Sequence, residues 1–577
     1  MSLFQVCVVG TCSLAVFKGL QLLLRKSHSF DLDGPDKGHW LLGNVTKLFE
    51  GGIEYCVDIV DRYGGAVRLH GPYGELVYLA DPRALYHMVV KDQQMFEETD
   101  DFIMSNKLIF GNGLVGTVGE QHRRQRKLLS PLFSTTNMRR LLPTLHPIAE
   151  KLASTLVAKL PADGSQKEID VLPWLSRCAL DGICQCILGY PSNSLSAGDD
   201  EGDEYVEALR NLGPLISNLQ MLRRFVVLVN RYCSPYWATK VLDLVTAPWL
   251  PTQLMRDVRE LRRIVETMDS ASRREFAVKK AAAEADDELC EDSRMPPSMM
   301  DIMLKANSVT SNTDQLTDAE LFGQMNVMVF AGLDTTTAAL ARCIYLLAMN
   351  PHIQARLRSE IRDAMKSSEH QDEDDATPFA GLSYEILDNL PFLDGVVKET
   401  LRLYPSFPFM LRKTTKATTL PVHFPVRTRA GVETSTITMP QGSHAIISIL
   451  AANRHKEIWG PDANEWIPER WLAEEQGRSA PTLGVKDGVR FPAVYSNMMT
   501  FLSGNRSCVG FKFAEMEMKK VLATLLVRLH FALPTDKEIQ WKLWAFHVPV
   551  VKPPAGDGVT QQVPLNVRLA REEDFKW

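Results

Sequence analysis

One segment near the middle of the chain predicts a helix that is too long and too apolar to lie on a protein surface. The capping-box sequence TDAE at 317–320 begins it, and Pro351 ends the helical pattern. The predicted helix has roughly 33 residues and spans ~50 Å. Its centre, residues 325–341, contains Asp334 as its only charged residue. A helix that is apolar on all sides must be buried on all sides, so the rest of the chain has to fold around it.

The composition is that of a large folded protein with no nucleic-acid partner. The 577 residues are 45% hydrophobic and 23% charged, and the formal net charge is −6. Disordered and collagen-like proteins have very different compositions. A nucleic-acid-binding protein usually concentrates Lys and Arg on one face, and the chain contains no such basic block.

The remaining patterns indicate many helices and a few short strands. Residues 65–81 alternate in polarity and predict a β-hairpin, whereas residues 83–403 have mainly a helical period. Residues 405–450 are rich in Thr, Val and Pro and predict short strands. A last helix is predicted from near Cys508 to about His530. The fold class is therefore mainly α with small β-sheets (α+β).

The first 45 residues differ in character from the rest of the chain. Residues 1–30 contain two uncharged runs, 2–17 and 19–24, separated by Lys18 and followed by Arg25 and Lys26. This pattern predicts an N-terminal membrane anchor with the body of the protein in the cytosol. An interfacial helix is the alternative. Residues 31–45 are rich in turn-forming residues and predict a Pro/Gly hinge. Residues 46–577 are predicted to form a single domain.

The segment FLSGNRSCVG at 501–510 has the most specific pattern in the chain. It places the thiol of Cys508 at the predicted N-terminus of a helix, where unpaired backbone N–H groups favour the thiolate. Flanking glycines would let a flat ligand approach the backbone. Arg506 could direct a cation towards an anionic group of that ligand. A buried cysteine beside a glycine turn is the plainer alternative.

This segment resembles the haem-binding motif of the cytochrome P450 family, Phe-x-x-Gly-x-Arg-x-Cys-x-Gly. The matching residues are Phe501, Gly504, Arg506, Cys508 and Gly510. The resemblance implies haem b as the cofactor, Cys508 as the axial iron ligand and Arg506 as a ligand of a haem carboxylate. It also implies the P450 fold, with the haem between the long central helix and the Cys-bearing C-terminal helix. Residues 46–577 would then be one haem-thiolate catalytic domain.

Two further matches concern structural ion pairs. Glu399 and Arg402 lie three residues apart in a predicted helix and can pair on one face. Arg470 follows in the sequence PERW. The resemblance implies that these three residues form a buried network that maintains the haem pocket. An ordinary surface ion pair is the alternative from the residues alone.

The long helix contains the family's sequence for activating dioxygen, here AGLDTT at 331–336. The resemblance implies that Asp334 and Thr335 are catalytic and deliver protons, and that Gly332 leaves space for dioxygen. A purely structural alternative exists, because a threonine in the middle of a helix often donates to the carbonyl four residues earlier.

Three more residues resemble the family's ligands for the haem carboxylates. In the sequence GEQHRRQRK, His122 and Arg126 lie one helical turn apart, although His122 replaces the family's commoner tryptophan. Arg412 resembles a further ligand. Solvated side chains are the alternative for both arginines.

The resemblance implies a monooxygenase that takes electrons from a separate NADPH-cytochrome P450 reductase and uses O2. A microsomal enzyme of this kind would reside in the endoplasmic reticulum membrane, with its catalytic domain in the cytosol. The reductase is expected to meet a basic face of the protein. The candidate cations on that face are Arg123, Arg124, Lys127, Lys512, Lys519 and Lys520.

The substrate is expected to be a hydrophobic small molecule. The pocket residues implied by the family are Phe330, Ala331, Phe409, Met410 and Phe546. The sequence around His122 resembles that of fungal members of the family, which favours a role in secondary metabolism, for example of terpenoids. A haem-thiolate isomerase or dehydratase, or a non-enzymatic haem-binding protein, are alternatives. Neither needs the proton-delivering residues of the long helix.

Overall fold

The fold is taken from a computed structural model of the chain. It describes residues 28–39, 42–72, 74–190, 192–196, 211–216, 218–219, 222–246, 252–285, 297–311, 314–369, 382–472, 489–543, 546–551 and 560–577. Most of the predicted anchor at 1–30 therefore lies outside the described residues.

The α-helices follow one another along most of the chain. They are α1 (Thr46–Glu50), α2 (Gly52–Tyr63), α3 (Pro82–Tyr86), α4 (Asp100–Phe110), α5 (Gly119–Leu129), α6 (Thr135–Ala158), α7 (Leu172–Gly182), α8 (Arg223–Tyr232), α9 (Pro235–Val245), α10 (Gln253–Ala285), α11 (Met299–Ser308), α12 (Asp318–Met349), α13 (Pro351–Glu369), α14 (Tyr384–Asp388), α15 (Pro391–Leu403), α16 (Ile449–Ala452), α17 (Lys456–Trp459) and α18 (Phe511–Leu526). Two π-helices, His87–Lys91 and Ile183–Leu188, continue α3 and α7.

The strands are short. They are β1 (Ala66–Gly71), β2 (Gly74–Leu79), β3 (Phe96–Glu97), β4 (Lys167–Asp170), β5 (Phe409–Thr414), β6 (Thr418–Arg427), β7 (Glu433–Met439), β8 (His444–Ser448), β9 (Leu529–Ala532), β10 (Ile539–Leu543), β11 (His547–Val551) and β12 (Pro564–Leu569). Within the described residues they form sheets in the orders β1-β2-β8-β5-β3, β4-β12-β9, β6-β7 and β10-β11. The predicted class, mainly α with small sheets, is confirmed.

The largest sheet joins the two parts of the chain that were predicted to form strands. The predicted hairpin is confirmed as β1 and β2, which pair from Ala66 with Leu79 to Gly71 with Gly74. Strand β2 then pairs in parallel with β8, and β5 lies on the other side of β8. The early hairpin and the strands after residue 405 therefore belong to one body.

The long helix α12 is confirmed with nearly its predicted bounds. Thr317 and Glu320 form both hydrogen bonds of the capping box. Helix α12 packs against α7, α15 and α18, and it is buried along most of its length. In the described part of the chain, α12 alone is long and apolar enough to cross a membrane, and 67% of its most apolar window is buried inside the protein. It is a core helix.

The last predicted helix is shorter than expected. Helix α18 ends at Leu526, and Leu529–Ala532 forms strand β9, which pairs with β12. In this strand Leu529 and Phe531 are buried, while His530 and Ala532 are half-buried. This alternation has the period of a strand, so the predicted helical end at about His530 was wrong.

The described residues of the predicted hinge, 31–39 and 42–45, are packed onto the body. Leu32 is only 1% exposed. The Asp33 N–H donates to Arg427 O at 2.9 Å, and Asp33 O accepts from the Arg68 N–H at 3.0 Å. These contacts join the segment to β1 and β6, so it is part of the folded domain.

A buried ion-pair network joins α15 to the segment that contains Arg470. Glu399 and Arg402 are both fully buried and form two parallel hydrogen bonds of 2.8 and 2.7 Å. Arg470 Nε lies 3.2 Å from Glu399 Oε1. The Trp471 indole N–H donates to Glu399 Oε2 at 3.0 Å. The structure thus brings the three predicted residues together, and every charge has a partner.

Asn453 connects this network to the loop that contains Cys508. Arg402 donates to Asn453 O at 2.8 Å, and the Asn453 side chain donates to Arg402 O at 3.0 Å. The same side chain accepts from the Met499 N–H at 2.7 Å and donates to Thr500 Oγ1 at 2.8 Å. Because residues 499 and 500 lead directly into the cysteine loop, the ion pairs help to fix its position.

We expect Arg402→Ala to lower the free energy of unfolding by about 3 to 5 kcal/mol, because it leaves Glu399 buried with only part of its compensation. Denaturant unfolding of the purified protein measures this change. Arg62→Ala is the control, since the Arg62–Asp58 pair is exposed. Equal effects of the two substitutions would contradict a special role for the buried network.

Candidate active site

The cysteine loop is held by its own backbone. The Cys508 N–H donates to Phe501 O at 2.9 Å, and the Ser507 N–H donates to Gly504 O at 3.2 Å. The loop ends where α18 begins. The Cys508 side chain is exposed, whereas the other described cysteines are buried or half-buried. The structure therefore presents this thiol in front of the N-terminus of α18.

The residues of the motif at 501–510 have clear local roles. Gly504 has φ +66°, and a Cβ on it would lie 1.8 Å from Val89 O, so only glycine fits there. A Cβ on Gly510 would touch the Phe133 ring at an ordinary 3.4 Å. The Phe501 ring packs at 5.3 Å from Tyr495 and 5.9 Å from Phe511. These contacts fix the loop against the protein body.

The environment of the thiol acts on its charge in two directions. Although Cys508 borders open space, it lies deep within the protein, and the resulting desolvation raises the pKa of its thiol, while the Gly510 N–H and the charge of Arg126 act to lower it. The net pKa is raised, so the protein alone favours the thiol. A bound metal cation would reverse this preference, because coordination deprotonates a thiol.

The centre of α12 borders open space although the helix is otherwise buried. Ala331 is exposed, and Gly332, Asp334 and Thr335 are half-buried. The Thr335 hydroxyl donates to Ala331 O at 2.6 Å, which is the hydrogen bond expected in the structural alternative. The Ser406 hydroxyl donates to Thr335 O at 3.0 Å. Thr335 is thus held from two sides.

The structure gives Gly332 a different role from the one expected. A Cβ on Gly332 would lie 2.9 Å from Ile183 Cδ1. The glycine therefore allows α12 to pack against the π-helix Ile183–Leu188, and the space beside it is filled by Ile183. The expectation that Gly332 also leaves space for dioxygen stays a prediction.

Gly213 was not found by sequence reasoning, yet it lies against two predicted site residues. A Cβ on Gly213 would be 2.8 Å from Asp334 Oδ2 and 3.1 Å from Phe546 Cε2. A larger residue fits there only if the Asp334 carboxylate and the Phe546 ring shift. No local sequence signal marks this position, because the contact depends on the packing of distant segments.

His122 and Arg126 lie on α5 close to the cysteine loop. Arg126 donates to Ser507 O at 2.5 Å and to Ser507 Oγ at 2.6 Å. His122 is buried, and burial, followed by the charges of Arg506 and Arg126, lowers its pKa to about 3. His122 is therefore neutral at pH 7 and able to donate one hydrogen bond and accept another.

Arg412 and Arg506 are both paired with acids that the sequence analysis did not consider. Arg412 Nη1 lies 2.6 Å from Glu98 Oε2, and both side chains are buried. Arg506 Nη2 donates to Glu97 Oε1 at 2.8 Å and to Thr117 O at 3.0 Å. Glu97 is the last residue of β3 and Glu98 follows it, in the sequence FEETDD, whose charges gave no indication of these distant partners.

Part of the predicted substrate pocket forms an aromatic cluster. The Phe330 ring lies 4.7 Å from Phe110 and 6.2 Å from Phe546, and Phe546 lies 4.8 Å from Phe407. Phe110 and Phe407 are not among the five residues named for the pocket, although both lie in segments with which the family lines it. Together with the exposed Ala331, these rings provide an apolar surface beside the centre of α12.

Phe409 does not belong to this cluster. Its ring packs 5.9 Å from Phe49 and 6.2 Å from Tyr78. Because side chains alternate along β5, Phe409 points to the face opposite Met410 and Arg412. The prediction of Phe409 as a pocket residue was wrong, whereas Met410 shares the face of Arg412.

The predicted basic face is smaller than expected. Lys519 and Lys520 are only 2% and 4% exposed, so neither can meet a partner protein. Lys519 is enclosed by acids, with its Nζ 2.9 Å from both Asp394 and Glu515. Of the remaining predicted cations, Arg123 and Lys127 have exposed side chains, with exposed fractions of 65% and 68%. Arg124 and Lys512 are less accessible.

These residues fit a haem. The thiol of Cys508 is the one exposed cysteine side chain in the described part of the chain. Arg126 binds the cysteine loop, and the charges of Arg126 and Arg506 both act on His122. A thiolate for iron and guanidinium groups for carboxylates are the donors that such a cofactor requires.

The lowered pKa of His122 predicts a pH dependence of stability. Between about pH 6.5 and pH 3 the unfolded protein binds a proton at this residue and the folded protein does not, so stability falls as the pH falls. We expect His122→Gln to lose less stability than the parent between pH 7 and pH 5, measured by denaturant unfolding. His352→Gln, at an exposed site, is the control. An unchanged loss in His122→Gln would contradict the prediction.

Comparison with known proteins assigns the chain to a family. The family model described as Cytochrome P450 matches residues 33–556. Cytochrome P450 monooxygenase 219 of Postia placenta is 35% identical over 574 residues, which cover 97% of this chain and 99% of the relative. Cytochrome P450 monooxygenase 81 of the same fungus is 37% identical over 571 residues, covering 98% of each. Ganoderic acid synthetase of Ganoderma lucidum is 34% identical over 500 residues, covering 85% of this chain and 86% of that protein.

The match extends from the segment before β1 to the segment before β12, and it includes the cysteine loop, the buried ion-pair network and the centre of α12. The relatives that match this chain along nearly their whole length are named as cytochrome P450 monooxygenases of a fungus. The chain therefore belongs to the cytochrome P450 family and is a P450 monooxygenase.

Proposed function

We propose that this monooxygenase binds haem b through Cys508 and inserts one oxygen atom of O2 into a hydrophobic small molecule. The observation that carries the proposal is the exposed Cys508 thiol, held in a backbone-bonded loop in front of α18. When bound, the haem supplies the oxygen chemistry, and a thiolate ligand increases its electron density in a way that favours O–O cleavage.

The haem carboxylates would be bound by residues around α5 and the cysteine loop. Arg126 and Arg506 supply charged donors, and Arg412 supplies a third. Neutral His122 adds an uncharged donor. Phe501, Gly504 and Gly510 would shape the loop that holds the cofactor, because the Phe501 ring and the close approach of Gly504 to Val89 O fix this loop against the protein body.

Asp334 and Thr335 are the proposed proton-delivering residues. Both are half-buried in the part of α12 that borders open space. The Thr335 hydroxyl donates to Ala331 O, so its lone pairs remain available to accept a hydrogen bond from a donor such as water. A carboxylate beside such a hydroxyl can pass protons inward from solvent.

The aromatic cluster of Phe110, Phe330, Phe407 and Phe546 supports an apolar substrate. Aromatic side chains bind apolar skeletons mainly by packing and by excluding water. A secondary metabolite of fungal type, such as a terpenoid, fits this surface, and one relative is named for the synthesis of ganoderic acid.

The electrons would come from NADPH-cytochrome P450 reductase. Arg123 and Lys127 are the exposed cations of the predicted docking face, and they would meet an acidic surface of the partner. We infer that residues 1–30 anchor the enzyme in the endoplasmic reticulum membrane, with the catalytic domain in the cytosol.

Carbon-monoxide difference spectra of the reduced protein test the ligand. We expect the parent to show the red-shifted Soret band of thiolate ligation and Cys508→Ser to lose it. Cys233→Ser is the matched control, because Cys233 is half-buried and lies outside the site. Retention of the band in Cys508→Ser would exclude Cys508 as the ligand.

The proton-delivery role is tested by the coupling of NADPH use to product. We expect Thr335→Ala to raise the peroxide released per NADPH consumed, with a loss of product of roughly 10²-fold at most. Thr336→Ala is the control, because Thr336 is the next residue of α12 but is buried. Unchanged coupling in Thr335→Ala would reject the role.

A further inference from the structure

Two acids lie among the arginines of the proposed haem-carboxylate site. Glu98 is 6% exposed and pairs with Arg412, which is 3% exposed. Glu98 Oε1 also lies 3.8 Å from Arg506 Nε. Glu97 Oε1 lies 2.8 Å from Nη2 of the same arginine. The arginines are therefore linked to each other through Glu98.

The pairing of two strands explains why the acids are there. In the antiparallel pair of β3 and β5, Phe96 lies opposite Thr414 and Glu97 opposite Lys413. Continuing this register places Glu98 beside Arg412. Two residues further along the chain, Asp100 pairs with Lys413 at 2.9 Å. The acids are thus built into the sheet edge.

The acids change the charge available to the cofactor. Arg126, Arg412 and Arg506 are three cations, and Glu97 and Glu98 cancel two of them. His122 adds no charge at pH 7, because burial lowers its pKa to about 3. A haem brings two carboxylates, so this site has less positive charge than the number of its arginines suggests.

The arginines nevertheless retain donors for a ligand. Arg412 donates to Glu98 and to Leu411 O through Nη1, and its Nε and Nη2 donate to none of the described residues. A guanidinium has five N–H donors in a fixed plane, so binding an acid on one edge orients the other edge.

We propose that Glu98 is a positioning residue for the haem carboxylates: it holds Arg412 and Arg506 with their free edges towards the cofactor and adds a negative charge beside it. This inference rests on the proposed binding of haem at Cys508. The additional negative charge stabilises the oxidised cofactor relative to the reduced one, and so lowers its reduction potential.

Glu98→Gln tests the inference, because it removes the charge and keeps the shape. In the haem-loaded protein we expect the midpoint potential to shift to a more positive value. We expect haem transfer to apomyoglobin to slow several-fold, since the amide keeps Arg412 in place and no longer repels the haem carboxylates. Asp100→Asn is the matched control, because it removes an acid from the exposed pair two residues away. Both readouts should stay at the parent's values in the control.

Glu98→Asp provides a second variant if Glu98→Gln does not fold. It keeps the charge and shortens the reach, so we expect a parental midpoint potential with faster haem release. Parental values of both readouts in Glu98→Gln, or a potential shift as large in Asp100→Asn, would overturn the inference.

The carbon-monoxide spectrum of the parent separates this inference from the proposed function. A parent without the thiolate band would reject haem binding at Cys508. A parent with the band, combined with unaltered potential and haem release in Glu98→Gln, would reject the role of Glu98 alone.

Discussion

The pairing of Glu399 with Arg402 is the interaction on which the arrangement of the active site depends. Two opposite charges with no access to solvent are stable only if hydrogen bonds satisfy all of their donors and acceptors. Here the partners come from separate segments, and they include Arg470, Trp471, Asn453 and Ala463. Within this network, the Asn453 side chain binds residues 499 and 500. These hydrogen bonds fix the position of the cysteine loop that follows.

The residues of the site differ from their surroundings in solvent exposure. Ala331 is exposed in the middle of a buried helix, and Cys508 is exposed although the other described cysteines are not. Conversely, Glu98 and Arg412 are charged and buried. Such exceptions are stable only because rigid elements enforce them, namely α12 with its cap, the backbone-bonded loop and the pairing of β3 with β5.

Local spacing made some of these features predictable. The capping box of α12, the hairpin and the cysteine loop depend on residues that are close in sequence, and the structure shows them as expected. The burial of Lys519 and the position of Phe409 depend on which side of an element meets its neighbours. The Glu98–Arg412 contact joins residues 314 positions apart. A pattern within one segment contains no information about such partners.

Gly213 ties two properties of the enzyme together. A Cβ at this position would lie close to both the carboxylate of Asp334 and the ring of Phe546, so one position is next to a proposed proton-delivering residue and to the apolar pocket. Any larger residue there must displace both. Changes that reshape this part of the pocket for a new substrate would therefore disturb proton supply as well, and evolution towards other substrates is expected to proceed through Phe110 or Phe407 and not through this glycine.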